Sequence, residues 1–290
     1  MSSSNSRWMH RARRIMLAVI VASTAFVRPA LAAEPVTGSG EFTNRGFTMP
    51  VVSSLAYRGK SLLDKDDVIV VVISNGYLDQ KWTGGYYDRT RMIEKRWITD
   101  RNAAVYLEFR PDGSYKAHHF YFKSGNGCGY CAGNMGVTST VKVANGRIAG
   151  TIKIKDNEKN ADLKIDTPIL SDDHGAALPA DGGEPGKAYM AYHEALVTGQ
   201  PAKILPTLSK ENRKDLDEAV KRGRAPDMVR QFTEEHPTKS VKIVRGWSKG
   251  DAAVVLWEGE KGQVKLTGEA VLVREAGRWV VDDEVADVKM

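Results

Sequence analysis

The sequence predicts an α+β protein in two parts: an antiparallel β sandwich or barrel over residues 40–170, and helices followed by an antiparallel sheet over residues 187–290. Three observations predict it. Short β-branched or alternating runs separated by tight turns recur through the first part. Residues 171–186 lose all periodicity and read as a linker. Beyond them the apolar spacing changes from two to 3.6 and then returns to strand-like runs, the order of a segregated α+β domain.

Residues 1–32 read as a bacterial signal peptide. Arg7, Arg11, Arg13 and Arg14 precede an apolar run from Ile15 to Val27, and Ala30-Leu31-Ala32 is a small-x-small cleavage pattern. The run is shorter than the ~20 residues that span a bilayer. The expectation is therefore a periplasmic or secreted, soluble protein with no membrane span. The chain carries 42 Lys and Arg against 36 Asp and Glu, a net charge of +6. The leader holds five arginines and no acid, so the mature chain falls to +1. That charge gives no ground for a nucleic-acid partner.

In the first part, Phe47 to Tyr57 is a mixed apolar stretch interrupted by Pro50, which predicts an edge or a bulged strand because proline donates no ladder hydrogen bond. Val68 to Ile73 is a continuous β-branched run and predicts a strand covered on both faces. Tyr77 to Arg101 has no clear period and stays unassigned. Ala104 to Phe109 and Ser114 to Phe122 flank Arg110-Pro111-Asp112-Gly113, a hairpin signal. Val137 to Val143, a turn at Asn145-Gly146, Arg147 to Ile154 and Ala161 to Ile169 complete the strands. Within the linker, Asp172-Asp173-His174 reads as solvated, since metal ligands need a rigid frame.

In the second part, Tyr189, Tyr192, His193 and Leu196 recur at helical spacing, with Gly199 placed to end the helix. Ser209 caps a second helix that buries Leu216 and Val220 and stops at Gly223. Pro226 opens a third, carrying Met228, Val229 and Phe232, and Pro237 ends it. Strands follow over Val241 to Trp247, Ala252 to Trp257, Val264 to Val273 and Trp279 to Glu284.

Two stretches carry a resemblance: Ala188-Tyr189-Met190-Ala191-Tyr192-His193-Glu194-Ala195-Leu196-Val197-Thr198-Gly199-Gln200, and Leu272-Val273-Arg274-Glu275-Ala276-Gly277-Arg278-Trp279-Val280-Val281-Asp282-Asp283. Residues 187–290 resemble the NTF2-like superfamily of small α+β cones. Gln200 stands where aspartate is frequent in that group. The resemblance implies a strongly curved sheet, a pocket in the cone, and face-to-face dimerisation of the sheet; it implies no particular activity. The pocket would be lined by Tyr189, Tyr192, His193, Trp247, Trp257 and Trp279. An acid–base pair in it would be His193 with Asp283, which shares the strand parity of Trp279 and Val281. Filled core is the more ordinary reading of the same residues.

Cys128-Gly129-Tyr130-Cys131 lies in a glycine-rich loop. Its spacing resembles the active-site sequence of some periplasmic thioredoxin-fold isomerases, but no helix N-terminus follows to lower a thiol pKa. Three readings stay open. A structural disulfide is favoured, as two exported cysteines are expected to pair. A metal site would need further ligands, with only His118 and His119 nearby, and a redox-active pair is the third. The aromatic set Tyr77, Trp82, Tyr86, Tyr87 and Trp97 is either a ligand platform or a small cluster under a loop. No cofactor or metal is expected. The sequence favours a non-catalytic binding or assembly module of the envelope, with a small molecule, a glycan or an envelope protein as partner. Thiol or metal chemistry at the cysteines, and acid–base chemistry in the cone, are the alternatives.

Overall fold

The computed structural model describes residues 38–289 except 45, 99–101, 122–127, 133–135 and 235; the side chains of 81, 82, 96, 97, 128–132, 231 and 234 are also outside the described set. The leader expected over residues 1–32 lies outside the described residues.

The first part is an 11-stranded sheet that curls so that strands from both of its halves enclose one core. Its main path runs β2 (Phe47–Pro50), β1 (Gly38–Asn44), β11 (Lys159–Leu170), β3 (Ser53–Lys60), β4 (Asp67–Ser74), β5 (Ala104–Phe109), β6 (Tyr115–Tyr121), β7 (Cys128–Ala132). Strand β10 (Arg147–Lys155) pairs with β11 and with the short β8 (Val137–Ser139) and β9 (Lys142–Ala144). The pairings are antiparallel except where Ile169 and Leu170 meet Ala56 and Tyr57 in parallel. Pro50 sits on edge strand β2, as its missing N–H requires.

The β-branched run forms β4, buried on both faces. Ile69, Val71 and Ile73 face the sheet's core; Val68, Val70 and Val72 face a second apolar cluster. That cluster is built by the segment left unassigned, which folds as α1 (Gln80–Gly84), α2 (Arg89–Met92) and a π-helical turn over Ile93–Trp97. Leu78, Tyr86, Met92 and Ile93 supply its apolar surface. The expected single strand over 137–143 is split in two. Gly150 of β10 approaches so closely that a Cβ there would lie 2.6 Å from the Val141 Cα. The expected loop around the cysteines also differs: its backbone runs as β7, paired to β6.

In the second part, β12 (Ala176–Ala177), β13 (Val241–Lys249), β14 (Ala252–Lys261), β15 (Val264–Glu275) and β16 (Arg278–Val288) form a five-stranded antiparallel sheet in that order. Helices α3 (Gly183–Thr198), α4 (Pro201–Ile204), α5 (Lys210–Lys221) and α6 (Ala225–Glu234) precede β13. Gly199 ends α3 in the left-handed conformation at φ 65°, and the Ser209 hydroxyl accepts from Asn212 N as the cap of α5. Leu216 is buried; Val220 is 44% exposed, contrary to expectation, because α5 buries only a narrow stripe. The expected linker is structured: β12 adds an edge strand to the sheet, and α3 begins within it at Gly183. No helix among the described residues is long and apolar enough to cross a membrane.

Candidate functional site

One face of the five-stranded sheet packs against the helices. Tyr189, Tyr192 and Leu196 of α3 meet Val255 and Trp257 of β14, Leu266, Ala270 and Leu272 of β15, and Val281 and Ala286 of β16. Trp257 is fully buried and lies 6.1 Å from the Tyr189 ring at an interplanar angle of 17°. Gly268 makes room for it: a Cβ there would lie 2.3 Å from the indole.

The polar groups in this interior bond to one another. The Tyr189 hydroxyl donates to Glu284 Oε1 at 2.6 Å, His236 Nδ1 meets Glu284 Oε2 at 2.9 Å, and His193 Nδ1 meets His236 Nε2 at 2.8 Å. All four residues are at most 9% exposed. Burial pushes the His193 pKa down, aided by the neighbouring His236 ring, and raises the Tyr189 hydroxyl well above its ordinary value, with Glu284 adding to the rise.

The pair expected from strand parity is therefore corrected. His193 is linked through His236 to Glu284, while Asp283 accepts a hydrogen bond from the Tyr86 hydroxyl of the first part. A bulge is the cause. Val271 pairs with Asp283 but Leu272 pairs with Val281, so Asp282 is an extra residue and the alternation reverses beyond it. His236 had no sequence signal; it lies 43 residues from His193 in the connection to β13.

The opposite face of the sheet carries Glu269, Val271, Asp283 and Val285 and is met by α1, α2 and the π-helical turn. Val271 and Val285 join the cluster of Tyr86, Met92 and Ile93. Asp88 N donates to Glu269 Oε2 at 2.9 Å, and Lys95 approaches Asp287 at 3.5 Å. Arg89, itself buried, bonds Asp172 Oδ1 at 2.7 Å and the Ser171 carbonyl at 2.5 Å. Trp247 belongs to this junction, not to a pocket with Trp257. It stacks on Tyr87 at 4.8 Å and 12°, with the Arg245 guanidinium 5.0 Å from its ring and His174 beside both rings. Asp173 bonds Lys249 at 2.7 Å. The Asp172-Asp173-His174 stretch thus ties the two sheets together. Trp279 packs at the edge of the helix-side core under the Arg274 guanidinium.

The aromatic platform does not assemble from the described rings. Tyr86 is buried at the junction, Tyr87 stacks on Trp247, and Tyr77 is 65% exposed at the end of β4. The side chains of Trp82 and Trp97 lie outside the described residues.

His118 and His119 are buried on β6. Tyr115 Oη meets His118 Nδ1 at 2.5 Å, and the His119 ring stacks on Tyr106 at 4.4 Å. Burial lowers both histidines to about 4. Among the described residues no group of three or more His, Cys, Asp or Glu side chains is placed to hold a metal ion.

Cys131 is registered opposite His118, and Cys128 opposite Tyr121. In an extended strand, residues three apart have Cα atoms about 10 Å from each other. A disulfide needs roughly 4.4–6.8 Å. The β7 pairing and a Cys128–Cys131 bridge are therefore mutually exclusive. Oxidising the thiol pair should release β7 from β6: amide exchange at Gly129 to Ala132 should accelerate at least about tenfold while β5 stays protected. Unchanged exchange in a protein shown by mass to carry the bridge contradicts this.

No protein-family model matches the chain, and no curated protein matches it.

Proposed function

We propose that the chain is an exported, two-domain, non-catalytic protein that acts by binding or assembly at the bacterial envelope, its second part an NTF2-like cone. One observation carries the reading: the ionisable side chains inside the second part are buried and bonded to each other, and Tyr189, Tyr192 and Trp257 fill the space where a substrate would sit. A catalytic pair needs an open position beside it. The sheet face that the resemblance would offer to a second copy is occupied by residues 86–95 of the same chain. Partner contacts then fall on the outside of the first part.

There, the turn between β3 and β4 presents Leu62 and Leu63, 43% and 48% exposed. Buried Glu108 accepts from the Ser61 hydroxyl at 2.6 Å and from Leu62 N at 3.1 Å, and Lys116 holds Asp64 and Asp66. A turn held by Glu108 and Lys116 offers its two exposed leucines to an envelope protein as a preorganised apolar contact. Complementation of a deletion strain tests the reading. His193→Gln, in protein shown to fold, should retain function, and Leu62→Ser with Leu63→Ser should lose it. Loss through folded His193→Gln with retention in the leucine variant would favour acid–base chemistry in the second part.

A further inference from the structure

Strand β6 carries a buried imidazole with one nitrogen uncommitted. His118 is 3% exposed; its Nδ1 meets Tyr115 Oη at 2.5 Å, while its Nε2 is buried with no hydrogen-bond partner among the described residues. With the Nδ1–H donating to the phenol oxygen, Nε2 keeps its lone pair. A buried lone pair with no donor is costly, so it calls for a group that can accept those electrons.

The neighbouring strand supplies a soft ligand at the same place. The register sets Cys131 of β7 directly across from His118 and Gly129 across from Phe120. Opposite residues of an antiparallel pair share one face of the sheet, with Cβ atoms about 4.5–5.5 Å apart. Cys128, three positions from Cys131, falls on the other face, across from Tyr121. His118 shares its face with Phe120, which belongs to the apolar core that the curled sheet encloses.

We propose that His118 and Cys131 bind a single copper(I) ion between β6 and β7. Thiolate and imidazole are ligands that suit this ion, and Tyr115 fixes the ring through its other nitrogen, as outer-shell partners of metal-bound histidines do. On binding, the Cys131 thiol releases its proton to solvent, a sulfur–copper and a nitrogen–copper bond form, and no electron is transferred. The monovalent ion replaces the proton, so the pair stays neutral beside an apolar core. Zinc would leave an uncompensated positive charge there, which burial opposes. A Cys128–Cys131 bridge consumes the thiol, so only the reduced chain binds.

Titration of the reduced, full mature chain with copper(I)–acetonitrile against bicinchoninate, with oxygen excluded, tests the site. One ion per chain should bind, and X-ray absorption of the loaded protein should show one sulfur and one nitrogen ligand. Cys128→Ser should bind as the wild type does, and Cys131→Ser should not bind. Tyr115→Phe, which removes the hydroxyl that meets His118 Nδ1, should weaken binding by about 10–100-fold. No binding by the wild type overturns the proposal. Two sulfur ligands, or loss of binding in folded Cys128→Ser, overturns it as well, because either result assigns the ion to the two cysteines; the ligand count needs no variant to fold.

Discussion

Trp257→Ala should destabilise the protein by about 3–5 kcal/mol, the largest loss among the tryptophans whose side chains are described, because a fully buried indole leaves a cavity that its neighbours cannot fill. Tyr189 loses its ring partner and His236 loses a wall. The converse change tests the same space from the other side. Gly268→Ala puts a methyl 2.3 Å from the indole and 2.6 Å from the Val285 carbonyl, so the ring must move. Trp247→Ala should behave differently: its stack on Tyr87 joins the two parts at a half-exposed surface, so it should loosen that junction with little effect on helix packing. Urea unfolding with separate probes for the two domains distinguishes these outcomes. A Trp257→Ala variant within about 1 kcal/mol of the wild type would mean that the interior is not packed as described.

Glu269→Gln should remove a pH dependence worth about 2–3 kcal/mol between pH 5 and 8. Burial at the domain junction raises the Glu269 carboxyl from 4.5 to about 7, offset in part by the Asp88 N–H that donates to it. A raised carboxyl favours folding in its protonated form. Its contribution is complete below the unfolded value of 4.5, falls as pH rises toward about 7, and is absent above. Glutamine mimics the protonated acid and carries no such dependence. Glu94, also raised to about 7 by burial, has the same sign. His118 and His119, lowered to about 4, have the opposite one: their contribution is present above about 6.5 and is lost as pH falls toward 4. Both chains share these terms, so the wild-type minus variant difference isolates Glu269. A difference that is flat from pH 5 to 8 would contradict the buried position at the junction.

Several element boundaries were readable from local rules. Gly199 and Ser209 end and begin helices because a left-handed residue and a hydroxyl cap satisfy local backbone groups. The run in β4 announced burial on both faces because no alternation was present. The segment over 80–97 gave no period, because its helices are short and its residues face two neighbours, the outer side of β4 and the sheet of the other domain.

Residue chemistry and chain order thus settle β4, the end of α3 at Gly199 and the start of α5 at Ser209, and that His193 lies on the buried face of its helix, while residues 80–97, β7 and β12 take their structure from packing. Only the tertiary structure decides what His193 meets. A single extra residue at Asp282 reverses the facing of everything after it in β16, turning Glu284 toward the histidines and Asp283 toward Tyr86. Bulge position depends on how a strand curves against its partners, and His236 reaches the site through a connection with no period of its own. Both are long-range outcomes of packing, beyond what neighbouring residues specify.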